Sequence, residues 1–343
     1  MSCFCQIIPN EVLERFSKDP RLSADQRKHF ANAARLGTEI RKLRKQAGKL
    51  TAVTASLGLV AAAVPAAPTI TISDCQHNPT LPGIPVADPA DSADGTTKRA
   101  AVETSAVADF YKTVFGRNSI DDAGITMASS VHYGSNFNNA FWNGSRMTYG
   151  EPDGNIFIDF TNSTDVIAHE LTHGVTQYSL QLSYTGQAGG LNESMSDVVG
   201  SMFRQWSANQ DVNQADWLIG KEIMGTGATA RGFTCLRDMA SPGGAHCMTP
   251  QPFHFSKFQT GMDPHISSGI PNLAFYTAAK AIGGKSWETV GQIWYQALTG
   301  FAPSPNMTMK TFANRTRQLA IQMDPPNATV ANAIDAGWTT VGL

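Results

Sequence analysis

Two histidines four residues apart, with a glutamate beside the first, are the side chains in this sequence best suited to metal chemistry. They form the pattern His-Glu-Leu-Thr-His, which follows an N-cap at Ser163 or Thr164 and lies among apolar residues at helical spacing. Because residues i and i+4 share one face of a helix, His169 and His173 can bind a single metal ion together. Glu170 is then the candidate general base.

A second helix, predicted to begin near a pair of glycines, supplies the carboxylates that such a metal centre needs. Catalytic zinc takes three nitrogen or oxygen ligands from the protein and keeps a fourth position for water. Glu193 fits the third ligand position. Asp197 lies four residues further along the same helix face, where its carboxylate can accept the other ring N–H of His169 and fix the metal-binding tautomer.

These motifs belong to a series of sequence blocks that resembles the thermolysin-like zinc metallopeptidases, in particular the protealysin branch with its short prosegment. Several ordered blocks at family spacing are far more specific than one metal motif. The resemblance implies an α+β, two-domain fold with a strand-rich N-terminal half, a helical C-terminal half and the zinc-binding helix between them. The blocks include Asn-Asn-Ala-Phe-Trp-Asn-Gly at 138–144, His-Ile-Ser-Ser-Gly-Ile-Pro-Asn at 265–272, and residues 116–121, 131–134, 147–150, 165–177, 189–200 and 216–220.

Length and composition are those of a globular protein with several parts. With 343 residues, 42% of them hydrophobic and 16% charged, the chain can build about two domains and an appendage. We predict a prosegment at 1–50, a strand-rich catalytic part at 51–185 that includes the metal-binding helix, and a helical catalytic part at 186–343. The prosegment carries 11 basic and 5 acidic side chains, and the remainder 15 and 23. A basic prosegment on an acidic body explains this charge better than contact with nucleic acid or a membrane.

Residues 7–10 (Ile-Ile-Pro-Asn) and the short helix after them are similar to a protealysin-type prosegment. In that family the segment assists folding, blocks the cleft as an intramolecular inhibitor and is then cut off. Ser23 and Gln26 form the pattern of a capping box that opens a second helix. Cys3 and Cys5 precede the cleft-binding stretch, where a thiolate could reach the fourth zinc position and exclude water. Packing of both cysteines as apolar side chains is the other interpretation.

The resemblance also implies how the site hydrolyses a peptide bond. One zinc ion held by the two histidines and Glu193 acidifies water and polarises the scissile carbonyl. Glu170 takes a proton from the water and passes it to the leaving nitrogen. Tyr184 and His265 occupy the positions whose side chains hydrogen-bond the developing oxyanion.

Substrate-binding residues follow from the same resemblance. Asn139 and Ala140 match the edge strand that pairs with an extended peptide through main-chain hydrogen bonds, and Arg237 matches the arginine that holds a substrate carbonyl. The pocket after the scissile bond has an apolar lining, which cannot stabilise a charged side chain, so we expect cleavage on the N-terminal side of Leu, Ile, Phe or Val. The pocket residues are Phe157, Val166, Ile219, Ile223 and Leu236.

Two departures from the family pattern concern His265 and calcium. Thr260 stands where an aspartate usually orients this histidine, so its orientation is left open, although Asp263 lies close by in sequence. At the family's paired calcium site only Asp165 and Asp216 remain as carboxylates, and two replacements are cations, so we expect the calcium pair to be lost. The replaced positions are Arg204, Leu218 and Lys221.

Localisation and cysteine use are less specific. The Ala- and Val-rich tract 51–68 is too short to span a membrane and lies too far from the N-terminus for a signal peptide, so we predict a linker and the first strand of the catalytic part. We expect a secreted monomer without a recognisable N-terminal signal peptide; an internal export signal or a cytoplasmic location is the alternative. Cys235 and Cys247 flank a loop that a disulfide could close, with Cys75 left single.

The sequence therefore predicts a secreted-type neutral zinc endopeptidase that is made as a latent precursor. Two other functions stay open: a catalytically silent, zinc-bearing binding protein, and a zinc hydrolase of non-peptide amides or esters. The intact set Glu170, Tyr184 and His265 argues against the first, because a binding protein has no use for it. The peptide-pairing strand at 139–142 argues against the second.

Overall fold

The computed structural model of the chain describes residues 5–50, 67–323 and 328–343, and within 40–50 only the helical backbone. The fold is α+β, as predicted, with the strands of the main sheet before residue 151 and helices dominating from residue 164 onward. The tract predicted as linker and first strand, 51–68, lies almost wholly outside the described residues. The first strand after it is β2 (Ile70–Asp74).

Residues 5–50 form one short strand and two helices. Pro9 is the N-cap of the first helix, whose apolar face buries Val12, Leu13 and Phe16. Gln26 N donates to Ser23 Oγ at 3.2 Å and Ser23 N donates to Gln26 Oε1 at 3.0 Å, which confirms the predicted capping box. The elements are β1 (Cys5–Gln6), α1 (Asn10–Ser17) and α2 (Ala24–Leu50).

A mixed sheet of six strands supports the N-terminal half and takes in β1 of the predicted prosegment. Its other strands are β2 (Ile70–Asp74), β3 (Ile84–Pro85), β4 (Met127–Tyr133), β5 (Ala140–Trp142) and β6 (Met147–Gly150). The strand order is β1-β5-β6-β4-β2-β3, with β2, β4 and β6 parallel and the outer strands antiparallel. Helix α3 (Gly95–Phe115) packs against the sheet.

Two buried helices, α4 (Thr164–Tyr178) and α5 (Gly186–Ser207), form the centre of the molecule. Glycine at position 200 allows the two helices to approach closely. An added Cβ there would lie only 2.6 Å from the backbone oxygen of Asp165, so no larger residue fits without a shift. Burying polar side chains is costly unless they have partners, and both helices carry histidines and carboxylates on their buried faces. This junction is therefore where a functional site is expected.

The remainder of the chain is mostly helical and packs around α5. Among the described residues, every helix is too short or too polar to cross a lipid bilayer. The elements are β7 (Leu218–Ile219), α6 (Thr226–Thr229), β8 (Arg237–Asp238), α7 (Pro264–Ser267), α8 (Gly269–Ile282), α9 (Thr289–Thr299), α10 (Met309–Met323) and α11 (Thr329–Thr340).

Candidate active site

The three expected metal ligands come together between α4 and α5. The Nε2 atoms of His169 and His173 lie 3.2 Å apart. Glu193 Oε2 lies 3.4 Å from His169 Nε2, and Glu193 Oε1 lies 3.5 Å from His173 Nε2. Tetrahedral zinc with ligand bonds of about 2.0–2.1 Å separates its nitrogen and oxygen ligands by about 3.3 Å. The three buried side chains match that spacing.

The Nδ1 atoms of both histidines make hydrogen bonds, which leaves their Nε2 atoms for a metal. His169 Nδ1 contacts Asp197 Oδ1 at 2.9 Å, as the sequence predicts. His173 Nδ1 contacts Asn192 Oδ1 at 2.8 Å. The sequence motifs do not identify this partner, and the only signal for it is that Asn192 directly precedes Glu193. Glu193 Oε2 is buried, and the Nε2 atoms of His169 and His265 lie 3.4 and 3.5 Å from it. Because a cation would satisfy this carboxylate, the donor set fits zinc.

The pKa values of these ligands differ because their neighbours differ. Burial opposes a charge on His169, but hydrogen bonds to Asp197 and Glu193 raise its pKa to about 9. Burial lowers the pKa of His173 to about 3. Burial also opposes ionisation of Glu193, yet the charge of His265 and the hydrogen bond from His169 hold the pKa of this carboxyl well below its usual value. Because imidazole binds a metal in its neutral form, metal binding competes with a proton at His169.

Asp197 is the centre of a buried network behind the ligands. Arg237 donates from Nε to Asp197 Oδ2 at 2.8 Å and from Nη2 to Oδ1 at 2.7 Å, and Asn272 Nδ2 donates to Oδ2 at 2.8 Å. Burial opposes the charge on Arg237, but the Asp197 carboxylate outweighs it and raises the pKa of the guanidinium. Arg237 Nη1 has no hydrogen-bond partner among the described residues, so it is open to an added acceptor.

Glu170, the expected base, contacts the sheet from α4. Its Oε2 accepts the backbone N–H of Trp142 in β5 at 2.9 Å, and the side chain is fully buried. The contact fixes the carboxylate beside the strand on which a peptide substrate is expected to lie. Glu170 is therefore held near both the metal ligands of α4 and the expected path of the substrate.

Tyr184 and His265 lie next to the ligand cluster. The Tyr184 hydroxyl donates to Glu193 Oε1 and lies 3.2 Å from His265 Nε2. His265 Nδ1 contacts Asp263 Oδ1 at 2.7 Å, and the same oxygen accepts the backbone N–H of His265 at 3.0 Å. The orientation left open by Thr260 is thus supplied by Asp263, the N-cap of α7, from a position two residues before the histidine.

The prosegment strand lies directly over this site. β1 pairs antiparallel with β5, Ile7 N donates to Ala140 O at 3.1 Å, and His265 Nε2 contacts Gln6 O at 2.5 Å. The Asn139 side chain accepts the Ile8 N–H at 3.0 Å and donates to Ile8 O at 3.1 Å. Without β1, β5 would be the edge of the sheet.

Cys5 reaches the metal-ligand cluster. Its Sγ and the ligand atoms of His173 and Glu193 lie within 4.8 Å of one another, and all three residues are buried. Cys5 is disulfide-bonded in this structure, and Cys3 lies outside the described residues. Since only a thiolate is a strong zinc ligand, Cys5 could bind zinc only after reduction. The expected zinc switch stays a prediction.

The five residues expected to line the specificity pocket are all fully buried. The prosegment covers one of them, because the ring of Phe157 lies 6.4 Å from Phe16 and 6.3 Å from Phe30. Phe16 also lies 6.4 Å from the ring of Phe233. The helices α1 and α2 therefore pack against a wall of the expected pocket.

Charge between the prosegment and the body differs from the expected pattern. The ion pair described between them joins acidic Asp19 of the prosegment to basic Arg231 of the body at 3.0 Å, with both side chains mostly buried. The basic run at 41–45 falls where no side chain is described. This ion pair does not bear out the attraction expected from net charge, which stays a prediction.

The remaining sequence expectations concern calcium and two cysteines. Arg204 contacts Asp216 and lies 3.4 Å from Asp165 Oδ2, so a cationic side chain occupies the expected calcium position. Loss of the calcium pair stays a prediction. The disulfide that the sequence left open between Cys235 and Cys247 is not formed in this structure, where their Sγ atoms lie 3.9 Å apart.

Comparison with known families covers the two halves of the body. A family model described as "Thermolysin metallopeptidase, catalytic domain" matches residues 66–177, and one described as "Thermolysin metallopeptidase, alpha-helical domain" matches residues 180–343. Together the two matches take in nearly all of the chain after the prosegment.

Individual relatives agree with these matches. An extracellular metalloprotease of Pectobacterium carotovorum subsp. carotovorum is 45% identical over 244 residues, which are 68% of this chain and 69% of that protein. Protease PrtS of Photorhabdus sp. (strain Az29) is 38% identical over 285 residues, 79% of this chain and 76% of that protein. The structure of a precursor of protealysin from Serratia proteamaculans superposes with a TM-score of 0.84 at 33% identity, covering 98% of this chain and 99% of that one. The chain therefore belongs to the thermolysin family and is a zinc metalloendopeptidase.

Proposed function

We propose that the chain is the latent precursor of a secreted neutral endopeptidase that cuts peptides before hydrophobic residues. The observation that carries this proposal is the pairing of β1 with β5 beside the metal ligands. An extended segment of the chain's own prosegment already occupies the edge on which a substrate would bind. Extended peptides bind such edges through main-chain hydrogen bonds, which depend little on sequence.

The proposed roles follow from the geometry of the cluster. His169, His173 and Glu193 hold the zinc ion, and Asp197 orients the first of them. Bound zinc supplies Lewis-acid chemistry, which activates water and polarises a carbonyl group. Glu170, held between α4 and β5, accepts the proton of the attacking water and returns it to the leaving nitrogen.

Tyr184 and His265 are proposed to stabilise, through hydrogen bonds, the oxyanion that forms during hydrolysis. Both present a polar group beside the ligand Glu193, and Asp263 holds the ring of His265 from the far side. In a protected, buried site such donors act in a low dielectric and gain strength. Arg237 Nη1, which is left open by the pair with Asp197, is assigned to a substrate carbonyl.

Latency follows from what the prosegment already contacts. Ile7 donates its main-chain N–H to Ala140 O, and the main chain of Ile8 hydrogen-bonds the side chain of Asn139. A substrate would need these same groups. The carbonyl oxygen of Gln6 is hydrogen-bonded to His265 Nε2. A substrate must therefore displace the segment before it can reach the edge strand and this donor.

Specificity is assigned to the buried apolar pocket. A charged side chain placed there would lose its hydration without a partner, whereas Leu, Ile, Phe or Val would gain by burial. The residues proposed to line it are Phe157, Val166, Ile219, Ile223 and Leu236, all fully buried in the precursor.

The wider features of the proposal rest on the sequence and on the relatives. The prosegment is proposed to end near residue 50, with the catalytic parts at 51–185 and 186–343. Secretion is supported by the relative named as an extracellular metalloprotease. We further propose a monomer with one catalytic zinc ion and without the paired calcium ions, because Arg204 and Lys221 contact Asp216, one of the two remaining carboxylates.

One experiment tests latency and specificity together. The purified full chain is incubated, and mass spectrometry follows both its own N-terminus and the products of a mixed peptide library. We expect loss of about fifty N-terminal residues, a rise in hydrolysis as they are lost, and cuts before Leu, Ile, Phe or Val. Full activity of the intact chain would contradict latency, and a preference for cuts before Lys, Asp or Glu would contradict the pocket assignment.

A further inference from the structure

A second cluster of metal-ligating side chains lies at the loop that follows β8, away from the α4–α5 junction. Cys235 and Cys247 are both fully buried and both carry free thiols. Their Sγ atoms are 3.9 Å apart, and Cys247 Sγ lies 3.7 Å from the Nε2 atom of His246. The sulfur atoms and a ligand nitrogen of the imidazole all lie within 4.8 Å of one another.

A carboxylate lies beside this group of three. Asp238 Oδ2 lies 3.1 Å from His246 Nε2, and the Asp238 side chain is only 11% exposed. Its other oxygen, Oδ1, accepts the backbone N–H groups of Ala240 at 2.8 Å and Ser241 at 3.1 Å. These two bonds fix the carboxylate so that Oδ2 faces the histidine. The group therefore offers two sulfurs and one nitrogen, with a carboxylate next to the nitrogen.

The separations of the sulfurs and the imidazole nitrogen fit a small tetrahedral cation. With zinc–sulfur bonds of about 2.3 Å and zinc–nitrogen bonds of about 2.0–2.1 Å, a tetrahedron gives about 3.8 Å between sulfurs and about 3.6 Å between sulfur and nitrogen. The structure has 3.9 Å between the two sulfurs and 3.7 Å from Cys247 Sγ to His246 Nε2. A disulfide, in contrast, requires sulfurs about 2.0 Å apart.

The backbone holds the donors in this arrangement. The backbones of Cys235 and Cys247 pair in an isolated parallel β-bridge. Its hydrogen bonds run from Met248 N to Cys235 O at 2.9 Å and from Thr234 N to His246 O at 3.0 Å. The ring of His246 lies close over the backbone of Gly244, where an added Cβ would meet its Cε1 at 2.4 Å. Glycine at this position therefore makes room for the imidazole.

We propose that Cys235, Cys247 and His246 bind a second zinc ion, or a similar transition-metal cation, with the Asp238 carboxylate beside the ligand histidine. Two cysteines and a histidine are ligands that zinc prefers in proteins. The ligand Cys235 and the neighbouring Asp238 bracket Leu236 and Arg237. The ion therefore fixes the chain that carries a wall of the proposed pocket and the arginine proposed to hold the substrate.

Zinc content of the full chain, purified with a thiol-free reductant, tests the site directly. We expect two zinc ions per chain in the wild type and one in His246→Ala, which removes a side chain that is 38% exposed and so spares the core. Cys235→Ser should also bind one. His254→Ala, which removes another histidine from the same half of the chain, is the matched control and should keep two.

Cobalt substitution separates this site from the catalytic one, so that failure of either can be recognised. A cobalt–thiolate charge-transfer band should persist in Cys5→Ser and in His169→Ala, and should disappear in His246→Ala. One zinc ion in the wild type with no change in His246→Ala would overturn the proposal. So would a Cys235–Cys247 disulfide, mapped by peptide mass in chain purified without reductant.

Discussion

Removing the ring of Phe16 should loosen the prosegment by an amount that the structure allows us to calculate. Phe16 is 1% exposed, and truncation of such a buried phenylalanine to alanine costs about 3–5 kcal/mol. Among its ring partners, Phe157 and Phe233 belong to the body and Phe30 to the prosegment. We therefore assign about two thirds of the cost, about 2–3 kcal/mol, to docking. The ratio of docked to undocked chain should fall by about 30- to 150-fold.

The assay uses the Glu170→Ala background, in which the chain should stay intact, and a fluorescent peptide hydroxamate that binds the open cleft. Its apparent affinity is lowered by the fraction of chain that is open, so Phe16→Ala should tighten binding by about 30- to 150-fold. Phe301→Ala is the control, because this ring is 36% exposed and contacts Arg315, far from the prosegment in sequence. Unchanged affinity in a Phe16→Ala protein with normal zinc content and thermal unfolding would refute the proposed role of Phe16 in docking.

Three further predictions concern the oxyanion donors, the prosegment cysteines and calcium. In the mature enzyme His265→Ala should lower kcat by about 10²–10³-fold, and Asp263→Asn should lower it by a smaller factor; wild-type kinetics in Asp263→Asn would contradict the orienting role. Replacing Cys3 and Cys5 by serine should raise hydrolysis by the reduced precursor without changing the mature enzyme, and equal initial rates would discard the zinc switch. Because Arg204 occupies the expected calcium position, a calcium chelator should leave the thermal unfolding temperature unchanged, and a clear drop would show that calcium binds.

What the sequence predicts well depends on local spacing. The ligands of α4 follow from the i,i+4 rule, and the link from His169 to Asp197 follows from a second helix of known register. The capping box of α2 is likewise local, because Ser23 and Gln26 are three residues apart. Such features need only the geometry of one element or of two adjacent elements.

What the sequence leaves open depends on where distant segments meet. Asn192 becomes the partner of His173 only after α5 has packed against α4. The contact of Gln6 O with His265 joins residues 259 positions apart in the chain. The same limit explains the cysteine loop, where the spacing of Cys235 and Cys247 allowed a disulfide, whereas their free thiols lie beside the imidazole of His246.

The central claim, that Glu170 acts as the base beside a zinc ion held by three other side chains, is tested most directly by one variant. Glu170→Ala removes no ligand, so zinc content should stay at the wild-type value while peptide hydrolysis falls by several orders of magnitude. Both quantities are measured on the same preparation, zinc by elemental analysis and hydrolysis with a fluorogenic peptide that carries Leu after the scissile bond. Full zinc with activity lost is the predicted result, and substantial hydrolysis by the zinc-loaded variant would contradict it.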